Sequence, residues 1–187
     1  MTCTDVRKVT SMKVLIIEGS PHKNGTSNTL ASKFADGARS AGHDVEVFDA
    51  AHSGIKGCLG CGGCFKDGKC VQKDGMEDVL AKMKAADAVV LSTPMYYFGF
   101  SAQLKAVIDR FYPLGAGNMK GKKMVLLEAQ YNPDAGIAQS LLIAYKGIAA
   151  YMGFEDAGTL IAAGCGSAAD LDKTDFPQKA YDLGKSL

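Results

Sequence analysis

The chain has 187 residues, 47% of them hydrophobic, with 21 basic against 20 acidic side chains. That length buries a full core without disulfide or metal staples, so the expectation is one domain over 1–187, with 1–12 as an N-terminal extension. Balanced charge speaks against a nucleic-acid surface, which needs clustered positive excess. No apolar run approaches a membrane span, and MTCTDVRKVTSM lacks the apolar centre of a signal peptide, so no membrane partner and a cytoplasmic location are expected.

The pattern becomes regular at Met12. KVLIIEG (13–19) is a continuous apolar run ending in glycine, as a buried parallel strand is. Leu30, Phe34 and Ala38, four apart, predict a helix stopped by Gly42. VEVFDA (45–50), ADAVVLSTP (86–94), KKMVLLEAQ (122–130) and AGTLIAAG (157–164) read as four further strands. Between them, Asp74 and Glu77 form a D-x-x-E capping box opening a helix to about Ala85. Leu104, Val107, Ile108 and Phe111 mark a helical face, as do Leu141, Tyr145, Ile148 and Met152 before Gly153. Pro177–Leu187 is a weaker helical candidate. The alternation predicts an α/β fold, a flavodoxin-like open five-stranded parallel sheet of order 2-1-3-4-5 with helices on both faces. Ligands of such sheets sit beyond the carboxyl ends of the strands, in the loops after Gly19, Thr93 and Ala129.

The first of these loops, GSPHKNGTSNTL (19–30), offers backbone N–H groups and hydroxyls to an anion, with a helix dipole behind them. An ordinary polar turn capped by Ser27 or Asn28 is the competing reading. No lysine follows Gly25 as a Walker A loop requires, and G-x-G-x-x-G is absent here, because Ser20 and Pro21 follow Gly19. Gly164, Gly166 and Ala169 fit G-x-G-x-x-A, but too few residues follow to complete a mononucleotide-binding unit. A phosphate monoester suits the first loop best. The second loop runs through Pro94, Met95, Tyr96, Tyr97, Phe98 and Gly99, and three adjacent aromatics at a strand end are well covered by a planar ring. Packing against the protein's own helices or a partner subunit is the alternative. One phosphate and one flat ring together describe FMN.

GSPHKNGTSNTLA and TPMYYFGFSAQLKAVIDRFYP resemble the phosphate loop and the P-x-Y…K-x-x-x-D-R segment of NADPH-dependent FMN reductases and related flavodoxin-like oxidoreductases. The resemblance spans most of 12–165. It implies that Ser20, His22, Ser27, Asn28 and Thr29 hold the phosphate and that Pro94, Met95, Tyr96, Tyr97, Phe98 and Gly99 hold the ribityl chain and ring. It further implies NAD(P)H as co-substrate, a quinone, flavin or nitro-type acceptor, and a homodimer or homotetramer. No catalytic residue is named, since the cofactor carries the chemistry. A flavodoxin-type electron carrier without pyridine-nucleotide activity is the alternative, although such carriers are typically acidic. Lys105, Asp109 and Arg110 read as a solvated or interface-facing ion-pair network.

CLGCGGCFKDGKC (58–70) places Cys58, Cys61, Cys64 and Cys70 in the spacing C-x2-C-x2-C-x5-C. In a reducing compartment such density points to metal or redox chemistry. The motif is similar to that of the iron-sulfur flavoproteins, a branch of the same family, which implies a [4Fe-4S] cluster and a ferredoxin-type protein as electron partner. Cluster-free thiols and a structural zinc site both stay open as readings. Cys3 and Cys165 read as incidental.

Overall fold

The computed structural model describes residues 11–187; most of the expected extension, and Cys3, lie outside the described residues. Five strands, β1 (Lys13–Glu18), β2 (Asp44–Asp49), β3 (Ala88–Pro94), β4 (Lys123–Ala129) and β5 (Glu155–Ala162), form one parallel sheet in the order β2-β1-β3-β4-β5. Glu18 lies opposite Ser92 and Pro94 opposite Ala129, so the carboxyl ends of β1, β3 and β4 are level at one edge. Continuous burial of β1, β3 and β4 explains why they read as unbroken apolar runs.

The described residues form seven α-helices, α1 (Thr26–Ser40), α2 (Cys64–Asp67), α3 (Met76–Ala85), α4 (Ala102–Ile108), α5 (Gln139–Met152), α6 (Ala168–Leu171) and α7 (Phe176–Lys185), which cover the two faces except for α2, a turn with no buried residue. Alternate strand residues supply two cores. Val14, Ile16, Val90, Val125 and Leu127 pack against Leu30 and Phe34 of α1, with Ala180 of α7 in the same layer. Leu15, Ile17, Val89, Leu91 and Leu126 face Met76 and Met83 of α3, Leu104 of α4 and Tyr145 of α5. The weak candidate helix at the C-terminus is thus a packed element. A Cβ at Gly184 would stand 2.1 Å from Phe34 O, and one at Gly37 would stand 1.9 Å from Tyr181 O, so both glycines are needed for α1 and α7 to touch.

Three details differ from the sequence expectation. β5 starts at Glu155 rather than Ala157: Glu155 and Asp156 pair with Lys123 and Met124 ahead of a bulge at Ala157, which leaves two charged residues at the start of an exposed edge strand. The expected capping box at Asp74 does not form: Gly75 in the left-handed region precedes α3 and no side chain caps it. Asp74 is instead drawn toward Arg110. The short α2 and α6 escaped the periodicity reading, being one turn each; α6 is held by a Ser167/Asp170 capping box.

Candidate functional site

The loop after β1 is held from beneath by α4. The Ser101 hydroxyl caps α4, accepting from Leu104 N at 3.3 Å, and donates to Gly19 O at 2.7 Å. Ser101 N donates to Thr93 Oγ1 at 3.1 Å, and Ser92 Oγ donates to Ser27 O at 2.9 Å. A Cβ on Gly19 would meet Leu104 Cβ at 2.5 Å, so only glycine lets strand end and helix start approach this closely. Within the loop, His22 N donates to Ser20 Oγ and Gly25 N to His22 O. The result is a finished backbone shape built by buried hydrogen bonds.

Helix α1 then begins without a side-chain cap, Gly25 occupying the N-cap position. Ser27 and Asn28 lie inside its first turn and do not cap it, contrary to the capping role that the ordinary-turn reading gives them. Both are buried, and among the described residues Ser27 Oγ and Asn28 Oδ1 have no hydrogen-bond partner. A buried unpaired polar group costs about 1–3 kcal/mol. Ser27 Oγ can donate, and beside the free backbone N–H groups at the positive end of a helix it makes a place where an anion is favoured; Asn28 Oδ1, an acceptor, does not add to it.

A cleft of about 720 Å³ opens over this turn. It gathers Ser20, His22 and Ser27 from the first loop and Pro94, Met95 and Tyr96 from the second. Asn28 lies behind the wall, and Thr29 turns its hydroxyl back to Gly25 O at 3.1 Å, so neither lines the cleft. Tyr97 and Phe98 line an adjoining pocket of about 300 Å³ with Met95, Gln130 and Tyr131. Gly99 closes the turn that presents them: Tyr96 N donates to Gly99 O and Gly99 N to Tyr96 O, both at 3.1 Å. The two residues between, Tyr97 (φ 46°) and Phe98 (φ 64°), are left-handed, a conformation that two-residue hairpin turns usually assign to Asn and Gly. Bulky residues held there store strain of about 1–2 kcal/mol each, a feature that concentrates at functional sites.

The remaining walls come from residues that the sequence does not assign to binding, although Thr26 stands in the first-loop motif and Gly166 in the G-x-G-x-x-A match. Thr26 joins the first loop, while Gln130 and Tyr131 extend from β4 and Cys165 to Ala168 follow β5. Topology pointed to the loop after Ala129, but the loop after β5 carried no comparable signal. Cys165, read from the sequence as incidental, is buried in the cleft lining, and burial raises its thiol pKa. One further group lies near without lining the cleft. Glu128 on β4 is fully buried with both oxygens unpartnered, and burial pushes its carboxyl up to about 8.

The four cysteines of the loop between β2 and α3 are free and line one pocket of about 250 Å³. Cys58 and Cys61 are exposed, Cys64 and Cys70 half-buried. Leu59, Phe65, Val71 and Tyr112 rim the pocket and are all exposed, with the Phe65 ring edge-on to Tyr112 at 5.7 Å. Among the described residues, no three His, Cys, Asp or Glu side chains are gathered as around a single metal ion. The D-R pair departs from its expectation. Lys105 and Asp109 do form an exposed ion pair, but Arg110 is 2% exposed and bonds inward to Asp74, Lys56 O and Cys70. Burial alone would raise the Asp74 carboxyl, yet hydrogen bonds from Arg110 and Lys56 N and the guanidinium charge outweigh it and hold it below the usual range.

With this geometry in hand, comparison with known proteins is informative. The family model for NADPH-dependent FMN reductase matches residues 12–155. An iron-sulfur flavoprotein of Methanocaldococcus jannaschii is 38% identical over 106 residues, covering 57% of this chain and 55% of that protein. One from Archaeoglobus fulgidus is 37% identical over 112 residues, covering 59% and 51%. The chain spans about half the length of these curated relatives. Among solved structures, an NAD(P)H:quinone oxidoreductase from Methanothermobacter marburgensis superposes with TM-score 0.74 at 20% identity, over 95% of this chain and 96% of that one. An azoreductase from Bacillus anthracis gives 0.77 at 18%, over 94% and 100%; both show the flavodoxin-like fold.

Proposed function

The chain belongs to the NADPH-dependent FMN reductase family, and from that premise we propose that it works as one FMN-binding domain of an NAD(P)H-dependent oxidoreductase. The observation that carries this reading is the uncapped start of α1 with the buried, unpartnered Ser27 Oγ, at the point where strand order reverses. When bound, FMN supplies hydride and single-electron transfer between a pyridine nucleotide and an acceptor.

The chain's own part is to bind and orient. Ser20, Ser27 and the first N–H groups of α1 hold the phosphate, with His22 on the outer side as a further donor and Asn28 and Thr29 shaping the turn from within. Pro94 and Met95 wall the ribityl chain. Tyr96, Tyr97, Phe98 and Tyr131 give aromatic surface at the ring end, where the turn closed by Gly99 keeps three aromatics largely in solvent until a flat partner covers them. No side chain in the cleft is assigned a proton-transfer role.

Cys58, Cys61, Cys64 and Cys70 are the proposed ligands of a [4Fe-4S] cluster, which supplies single-electron storage when present. Four free thiols around one pocket fit that group, and Gly60 N already donates to Cys58 Sγ at 3.4 Å. A cubane binds each thiolate at its own iron, so it asks for less convergence than zinc, which draws four ligands to one centre. The names of the relatives from M. jannaschii and A. fulgidus support the same choice. The acceptor is then a quinone or nitro-type molecule, or a ferredoxin-type protein seated on exposed Leu59, Phe65 and Val71. An apolar groove between α4 and α5, with Ile108, Ile148 and Tyr151, supports a homodimer or homotetramer.

Steady-state NAD(P)H oxidation by purified, FMN-loaded protein with a quinone acceptor tests the activity. Turnover that depends on added FMN is the expected result; FMN binding without pyridine-nucleotide oxidation would instead make the protein a flavodoxin-type carrier. Sedimentation of the FMN-loaded protein is expected to show a dimer or tetramer, and a strict monomer contradicts the assembly.

A further inference from the structure

Arg110 follows the last turn of α4 and is among the largest fully buried side chains of the protein. Its Nη1 donates to Asp74 Oδ2 at 2.6 Å and to Lys56 O at 3.1 Å, and its Nη2 donates to Cys70 Sγ at 3.2 Å. Asp74 Oδ2 also accepts from Lys56 N at 2.9 Å. Lys56 and Asp74 flank the cysteine loop, so one guanidinium ties its two ends together while touching its fourth sulfur. Among the described residues, no other side chain donates to any of the four cysteine sulfurs; Cys58 receives only a backbone N–H. The opposite end of α4 is Ser101, bonded to Gly19 beneath the phosphate loop. A single short helix therefore carries both the floor of the cleft and the anchor of the cysteine loop.

We propose that Arg110 is a positioning residue for the cysteine site, closing the loop at its base and setting a fixed positive charge on the Cys70 sulfur, so that the cluster bound there is easier to reduce. This rests on the reading of the four cysteines as cluster ligands. Donors and positive charge at a ligating sulfur stabilise the more negative, reduced state, and such outer-shell partners tune potentials. A desolvated guanidinium, with Asp74 balancing its charge, is a strong form of that device because it cannot lose its proton and is shielded from salt.

The test is a spectroscopic redox titration of the anaerobically purified protein, wild type against Arg110→Gln, Arg110→Lys and the double variant Arg110→Gln/Asp74→Asn. The double variant avoids leaving a buried unpaired carboxylate, and retained FMN binding reports folding. At a fixed potential, the ratio of reduced to oxidised cluster is expected to fall about tenfold in Arg110→Gln, a shift of about 59 mV for one electron, and to fall by less in the double variant, which removes the carboxylate charge as well. Arg110→Lys keeps the charge and is expected to show the smaller shift. A wild-type potential in the Gln variants, with the cluster still loaded, overturns the tuning role and leaves the cluster reading standing. Wild-type protein without iron or sulfide overturns the cluster reading and the tuning role together. In that case amide exchange over 57–73 still reads the anchor: faster exchange in Arg110→Gln supports loop closure by Arg110, and unchanged exchange overturns it.

Discussion

The two loops that carry the chemistry are built in opposite ways. The cleft over α1 is shaped by the sheet itself: Ser92, Thr93 and Ser101 hydrogen-bond its floor from inside, and Gly19 lets the layers meet. The cysteine loop between β2 and α3 holds one turn of helix, exposes Leu59 and Phe65, and is tied to the protein through Arg110 at its base. The fold finishes the first site before any ligand arrives, whereas the second is only anchored, and its ligand must complete it. Damage to one is therefore expected to spare the other.

The largest effect should come from the loop's own ligands. Cys61→Ala is expected to abolish the roughly four irons and four sulfides per chain of anaerobic protein while FMN stays bound; iron analysis beside flavin absorbance reads both. Joint loss of iron and flavin would mean the sites are not independent. The converse break is Gly19→Val, which forces a side chain against Leu104 and Ser101. Overpacking of this kind costs about 1–3 kcal/mol, and because it strikes the cleft floor, FMN affinity should fall at least tenfold while iron content is kept.

Glu128 sharpens the comparison through pH. Its buried carboxyl titrates near about 8 against an ordinary 4.5, so the folded protein keeps a proton that the unfolded chain releases. The stability this contributes is full below about pH 4.5 and is lost progressively as pH rises to 8, by on the order of 5 kcal/mol. Urea unfolding at pH 5 and pH 8 should show that loss in wild type and a flatter profile in Glu128→Gln; parallel profiles would remove Glu128 as the cause. The smallest effect concerns the aromatic turn. Tyr97→Gly relieves a left-handed φ at a fully exposed residue and should raise the stability of FMN-free protein by about 1 kcal/mol, while weakening FMN binding if the ring covers Tyr97. Unchanged stability would show that the turn relaxes in solution.

Sequence carried the fold well because β1, β3 and β4 are buried on both faces and read as plain apolar runs. It was weaker where exposure or sequence distance hides the signal. β5 hides two charged residues at its open start, and the cleft wall at Cys165 to Ala168 joins the site only through the sheet order. Thr29 has the right chemistry for a phosphate loop, yet the helix turns its hydroxyl back onto Gly25 O. Asp74 looked like a helix cap and Arg110 like a surface charge, because a separation of 36 positions conceals a buried pair. Local patterns report local needs, and a long-range ion pair leaves no period.

The central claim, that the start of α1 is a phosphate receptor, is tested most directly by titrating the FMN-free protein with FMN and with riboflavin, which lacks only the phosphate. One FMN per chain is predicted, with riboflavin at least about 100-fold weaker, a difference of about 2.7 kcal/mol. Equal affinity for the two, or no binding of either by folded protein, would contradict it.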